Sequence, residues 1–262
     1  MSEQNAENVE NAVETQLYNA IRDDRVDDVN ALITQNDLVA SFPEAFRLCI
    51  RDRNFTIVEV LLDNGLSLRE TLLFSCQRDN MLPLAQLCIT KKPVQNDKDV
   101  AMTYAAANGY LEIVVLLLTN GADVHYMNDE ALLHAVSHGH LNIVQHLLQN
   151  GAYLHTDNER ALRLAAHRGH LPVVQYLIEQ GAYLHVLEDA PLRNAVRAGH
   201  AEVVTYLCEQ GANANACKDA SKVCVEQGRC DIVKILIRFG LTLFIVDDPE
   251  LQKEYLNQLN AE

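Results

Sequence analysis

The chain has no tryptophan, and aromatic residues make up only 6% of its 262 positions, so large aromatic anchors are scarce. Long apolar runs are missing as well. The longest, residues 113–118, is far shorter than the ~20 residues that cross a bilayer, so no membrane span is expected. Residues 1–14 contain Glu3, Glu7, Glu10 and Glu14 but no basic residue and no apolar stretch, unlike a secretory leader. The seven cysteines (Cys49, Cys76, Cys88, Cys208, Cys217, Cys224, Cys230) form no Cys-x-x-Cys pair and are odd in number. That argues against a disulfide framework and for a reducing, cytoplasmic compartment. Positive charge is in deficit. A net charge of −15 argues against general affinity for nucleic acid or anionic lipid. About half of the excess lies in residues 1–14 and 247–262, so the middle of the chain is much closer to neutral. No Walker-type loop, dinucleotide-binding glycine loop, Gly-x-Ser-x-Gly elbow or His-Glu-x-x-His motif occurs. No enzymatic activity and no cofactor are expected.

What is present is a repeat. Gly121-Ala122, Gly151-Ala152, Gly181-Ala182 and Gly211-Ala212 recur every 30 residues. Gly109-Tyr110, Gly139-His140, Gly169-His170 and Gly199-His200 recur at the same interval, and each is followed by an apolar stretch such as LNIVQHLL. Each unit reads as two short helices. The first ends at the Gly of Gly-His, where a left-handed turn favours a residue without Cβ. The second carries apolar residues at helical spacing, such as Leu141, Val144, Leu147 and Leu148, and ends at the Gly of Gly-Ala. Pro172 and Pro191 fall in first helical turns, where a missing N–H is harmless. Asn128-Asp129, Asn158-Glu159 and Asp189 precede first helices and can cap them.

The template extends outward with weaker matches. Residues 25–32, 55–62 and 81–88 look like second helices of three earlier units, with Asp24, Arg53 and Asp79 in place of the glycine. Residues 228–237 make a later one. The expected fold is therefore all-α, with eight helix-turn-helix units aligned on positions 24, 53, 79, 109, 139, 169, 199 and 228. The expected organisation is a frayed acidic tail over 1–14, divergent units over 15–95, regular units over 96–245, and a capping helix with an acidic tail over 246–262.

The motifs GADVH, GHLNIVQHLLQNGA and GHLPVVQYLIEQGA resemble the ankyrin repeat, over roughly residues 15–245. The resemblance implies an ankyrin-repeat solenoid that works as a protein-binding module. Two departures stand out. The period is 30, three short of the family's usual length, which implies a shortened β-finger between units. The family's Thr-Pro-Leu-His turn is also replaced, by Glu130-Ala131-Leu132-Leu133 and Arg160-Ala161-Leu162-Arg163. Short repeats of this kind are similar to those of giant viruses and intracellular bacteria of amoebae. By that likeness the protein would be an effector in a host cell's cytosol.

Chemistry-bearing residues read mostly as structural. His140, His170 and His200 recur with the repeat, and in the family this position bonds neighbouring loop backbone. His134 and His138 have the spacing of a zinc pair but no third ligand, so they read as surface residues. Cys49, Cys76 and Cys224 align with small positions such as Ala105 and Ala135, and Cys88 and Cys208 with apolar ones, so burial is expected. Cys217 and Cys230, in a finger and a turn, are expected to be more exposed.

By position in the family, a partner would contact the groove formed by finger tips and inner helices. There Arg51, Arg78, Arg168 and Arg197, with Arg163 and Arg193 one turn earlier, suggest a basic strip favouring an acidic partner segment. Its alternative is a solvated face partly paired with Asp157, Glu159 and Asp189. His138, His167 and Leu133 line the same rows, and Tyr126, Met127, Val186 and Leu187 are the candidate apolar anchors at the tips. Tyr153 and Tyr183 read as packing between fingers. The expectation is a monomeric, non-catalytic adaptor or effector. Nucleic-acid binding through the strip, or self-assembly through exposed stack ends, are the alternatives.

Overall fold

A computed structural model describes residues 3–36, 38, 41–78 and 81–242 of the chain. Sixteen α-helices lie among them, in eight consecutive pairs: α1 (Glu3–Arg22) and α2 (Val26–Gln35), α3 (Phe42–Asp52) and α4 (Phe55–Asp63), α5 (Leu68–Ser75) and α6 (Leu82–Thr90), α7 (Gln95–Asn108) and α8 (Leu111–Thr119), α9 (Glu130–Ser137) and α10 (Leu141–Gln149), α11 (Arg160–Arg168) and α12 (Leu171–Glu179), α13 (Val186–Ala198) and α14 (Ala201–Glu209), α15 (Lys218–Glu226) and α16 (Cys230–Arg238). The chain divides into two compact units between Ala101 and Met102, with Thr119–Ala122 belonging to the first.

In the first unit, α1 packs on α3, and α2 and α6 flank α4. Leu17, Ile21, Phe42, Ile57 and Leu61 are almost completely buried at its centre. The rings of Phe46 and Phe74 meet edge to face at 5.2 Å. Helix α1 runs from Glu3 to Arg22. The segment is rich in Glu, Gln and Ala, good helix formers. Burial of Leu17, Ala20 and Ile21 anchors the other half. The expected capping helix over 246–262 and the turn at Asp79 lie outside the described residues.

One hydrogen-bond motif closes the first helix in seven of the eight pairs among the described residues. The residue after the turn donates its amide to a carbonyl five positions back: Arg25 to Ala20, Asn54 to Cys49, Tyr110 to Ala105, His140 to Ala135, His170 to Ala165, His200 to Ala195 and Arg229 to Cys224, at 2.7–3.1 Å. The residue just before it takes a positive φ in every case. This is the Schellman geometry that glycine suits. Asp24 (φ 56°) and Arg53 (φ 55°) hold it without glycine. A non-glycine residue there costs ~1–2 kcal/mol, part of which glycine returns through unfolded-chain entropy. Arg53→Gly is therefore expected to stabilise the protein by about 0.5–1 kcal/mol, read as a rise in the urea midpoint at unchanged slope. A fall would show that the Arg53 side chain contributes more than its backbone costs.

In the second unit, α9, α11, α13 and α15 pack side by side as one layer, and α10, α12, α14 and α16 as another. The core repeats with the sequence: Ala135, Val136, Ile143, Val144 and Leu147 are almost fully buried, as are Ala165, Ala166, Val173, Val174 and Leu177. The connections between pairs contain no strand among the described residues, so the expected β-finger is corrected. Three fingers instead end in three successive left-handed residues: Met127, Asn128, Asp129; Asp157, Asn158, Glu159; and Leu187, Glu188, Asp189, with φ between 47° and 61°, and the next one closes in a 3-10 turn over Ala214–Cys217. The regular part of α13 begins only after Asp189, which puts Pro191 in its first turn.

Candidate functional site

A single left-handed non-glycine residue is unfavourable, and three in a row persist only where their surroundings fix them. Here the fixing groups recur with the repeat. His125 Nδ1 donates to Asp129 at 3.0 Å, His155 Nδ1 to Glu159 at 2.6 Å, and His185 Nδ1 to Asp189 at 2.8 Å. All three carboxylates are buried, so hydrogen bonding is what makes their burial tolerable. Asp129 also accepts the Tyr153 amide of the next finger at 3.2 Å, which ties adjacent repeats. These acids were expected to cap their own helices. They make no side-chain bond to the helix amides, which corrects that reading, and serve the histidine four residues earlier instead. In the first unit Gln95 donates to Asp99 at 2.8 Å in the same relation, so an amide substitutes for the imidazole.

Two arginines complete the fingers. Arg163 donates through Nε to the Asn158 carbonyl at 2.9 Å and through Nη2 to that of Asp157 at 2.8 Å. Arg193 donates to the Leu187 carbonyl at 2.9 Å and lies 3.7 Å from Glu188. Both were assigned to a basic strip. Their guanidinium groups are occupied in holding left-handed backbone, so that part of the strip serves the fold. In the preceding repeat the same position is Leu133, which is buried and cannot act as a groove contact. Val186 is buried too, at the base of its finger, and is no tip anchor.

The other candidates lie at the surface. His138, His167, Arg168 and Arg197 are exposed at the C-terminal ends of α9, α11 and α13. The Arg168 and Arg197 guanidinium groups have no ion-pair or hydrogen-bond partner among the described residues, whereas Arg160, Arg163, Arg193 and Arg229 all have one. Cations at helix C-termini complement the dipole, which accounts for their tolerance there. At the tips, Met127 is 65% exposed and Leu187 51%, while Tyr126 is half-buried. Tyr153 stacks on the His125 ring of the preceding finger at 4.1 Å, and Tyr183 meets His185 of its own finger at 5.9 Å. Both tyrosines nevertheless stay about 60% exposed, Tyr153 stacked on one face and Tyr183 in an edge contact.

The recurrent histidines stitch repeats together. His140 Nε2 donates to the Ala107 carbonyl at 3.0 Å, His170 to Ser137 at 2.9 Å and His200 to His167 at 2.9 Å, while Arg229 takes the equivalent place on Arg197. His138 donates to the His134 carbonyl at 2.9 Å, and His134 lies 3.3 Å from Glu130. Among the described residues, no group of three or more His, Cys, Asp and Glu is placed to hold a metal ion, and no helix is long and apolar enough to cross a membrane. Burial pushes the thiols of Cys49, Cys76, Cys88 and Cys217 up to about 12, which makes them poor nucleophiles. Cys217 departs from its expected exposure: it is fully buried at the end of the 3-10 turn Ala214–Cys217.

A family model of ankyrin repeats in three copies matches residues 46–128 and 125–188, and a model of the single ankyrin repeat matches 187–219. No curated protein matches the chain. Repeated, stacked helix pairs, glycine turns and repeat-to-repeat histidine bonds agree with these matches, and the chain belongs to the ankyrin-repeat family.

Proposed function

We propose that this protein is a non-enzymatic adaptor or effector that binds an acidic segment of a partner protein through the exposed ends of α9, α11 and α13. Ankyrin repeats generally mediate protein–protein interaction, and such domains are typically non-enzymatic. The observation carrying the finer reading is the division among the arginines. Those near the fingers are bound internally, while Arg168 and Arg197, at matching ends of adjacent helices, present free guanidinium groups. A guanidinium forms bidentate bonds with carboxylates, and exposed charges of this kind govern encounter rate and selectivity. His138 and His167 extend the same row. A reducing cytosol suits the buried free thiols.

The test is affinity capture from eukaryotic lysate with the wild type and with Arg168→Glu/Arg197→Glu, followed by titration of the captured protein's acidic segment as a synthetic peptide. Neither side chain makes a hydrogen bond or ion pair among the described residues, so the variant should melt within a few degrees of the wild type, the loss being what a carboxylate near a helix C-terminus costs. Affinity is expected to fall at least about tenfold, equivalent to ~1.4 kcal/mol, and the loss should shrink as salt rises. Unchanged affinity would remove the row from the binding site.

A further inference from the structure

We propose that the finger over residues 151–159 binds an ordered water molecule, held between the Thr156 hydroxyl and the second carboxylate oxygen of Glu159. Among the described residues, four buried side-chain atoms have no hydrogen-bond partner: Asp129 Oδ2, Thr156 Oγ1, Glu159 Oε2 and Arg193 Nε. Three belong to consecutive fingers of the second unit, and the fourth to the arginine that bonds the Leu187 carbonyl of the next finger. The unmet polar groups are therefore gathered in one kind of place. A buried carboxylate oxygen or hydroxyl without a partner is costly, and proteins commonly satisfy such groups with enclosed water.

The finger over 151–159 differs from both neighbours at the two residues that carry its unmet atoms. Glu159 stands where they have Asp129 and Asp189, and Thr156 where they have Tyr126 and Val186. Glu159 Oε1 accepts the His155 ring at 2.6 Å, while Oε2 is buried without a donor. A carboxylate oxygen can only accept, and the Thr156 hydroxyl, three residues earlier, makes no bond to it. Water supplies what this pair lacks: one O–H for Glu159 Oε2, and a second O–H or a lone pair for Thr156 Oγ1. A metal ion would need further ligands, and among the described residues no group of three or more His, Cys, Asp and Glu is placed to provide them. Bound there, the water steadies the carboxylate that His155 bonds at the end of the left-handed turn formed by Asp157, Asn158 and Glu159.

Oxygen-17 relaxation dispersion of the solvent, which registers water molecules that tumble with the protein, tests the proposal on the full chain beside thermal unfolding. The wild type should show a dispersion. Thr156→Val should reduce its amplitude by about the contribution of one water molecule and lower the melting temperature by a few degrees. Val is close in shape to Thr and already fills this position, buried, as Val186 in the next finger. A hydroxyl with no partner at all gives the opposite sign, because deleting it removes a desolvation cost and raises the melting temperature. Thr156→Val/Glu159→Asp carries the next finger's residues at both positions, where Asp189 leaves no buried oxygen unpartnered. It keeps the test open if the single variant folds poorly, and it too should show the smaller amplitude. Three outcomes would overturn the proposal: no dispersion in the wild type, an undiminished amplitude in either folded variant, or a melting temperature of Thr156→Val above the wild type. Neither readout involves a partner, so the site is tested apart from the Arg168 and Arg197 row.

Discussion

Gly169→Ala is expected to destabilise the protein by about 3 kcal/mol or more in urea unfolding, while Gly181→Ala costs only about 1 kcal/mol. Both glycines have positive φ, 78° and 95°, so both substitutions incur the ~1–2 kcal/mol that a Cβ costs in the left-handed region, at most. They differ in their neighbours. A Cβ on Gly169 would lie 2.4 Å from His200 Nδ1, while one on Gly181 meets nothing within 4 Å. Relieving that overlap moves a ring whose Nε2 is bonded to the His167 carbonyl. Overpacking of ~1–3 kcal/mol and a lost hydrogen bond of ~0.5–1.5 kcal/mol then add to the backbone cost. Gly109 and Gly139 stand in the same relation to His140 and His170, and Gly199 to Arg229. The glycine thus serves two purposes: it turns the chain and makes room for the side chain that binds the next repeat to this one. Equal costs at 169 and 181 would mean that the histidine contact contributes nothing.

Asp129→Ala should cost about 2–3 kcal/mol. Its carboxylate is 1% exposed and accepts both the His125 ring and the Tyr153 amide, and hydrogen bonds to charged groups are worth ~1.5–3 kcal/mol. Asp129→Asn keeps an acceptor and tolerates the left-handed backbone, so roughly half the loss is expected. His125→Gln should cost under about 1 kcal/mol, because Gln95 already makes that bond to Asp99. Native-state hydrogen exchange at the Tyr153 amide reads the effect locally: Asp129→Ala should accelerate it far more than His125→Gln does. Faster exchange confined to residues outside the fingers would contradict the role given to this carboxylate.

Much of this architecture is written in the sequence in plain form. The 30-residue spacing of Gly-Ala and Gly-His gives the helix pairs, and Asp24 and Arg53 mark turns even where glycine is absent. The roles of His140, His170 and His200 follow from their place in the repeat. The fingers were harder to read. Nothing local in Met127 or Leu187 favours a positive φ, which is imposed by groups three to six residues away. A signal was present: His and an acid stand four apart at 125/129, 155/159 and 185/189, with the repeat's own period. Viewed as single residues, those acids resemble ordinary helix caps. The basic strip failed in part for a similar reason. Position along a helix places Arg163 and Arg193 near the fingers, but only side-chain direction reveals that they point back to Asp157, Asn158 and Leu187 rather than outward. Leu133 and Val186 sit at positions that are exposed on a lone helix and covered once repeats stack.

The central claim is that the arginines divide into a structural pair and a binding pair, and one comparison tests it most directly: thermal unfolding of Arg163→Glu/Arg193→Glu beside Arg168→Glu/Arg197→Glu, with partner capture measured on both. The account predicts that the first pair lowers the melting temperature by several degrees, because carbonyls of the left-handed turns lose their donors and face new negative charge. It predicts that the second pair, which breaks no hydrogen bond and only reverses charge at two helix C-termini, melts above the first pair and loses the acidic partner. A wild-type melting temperature for the first pair, or full capture by the second, would contradict it.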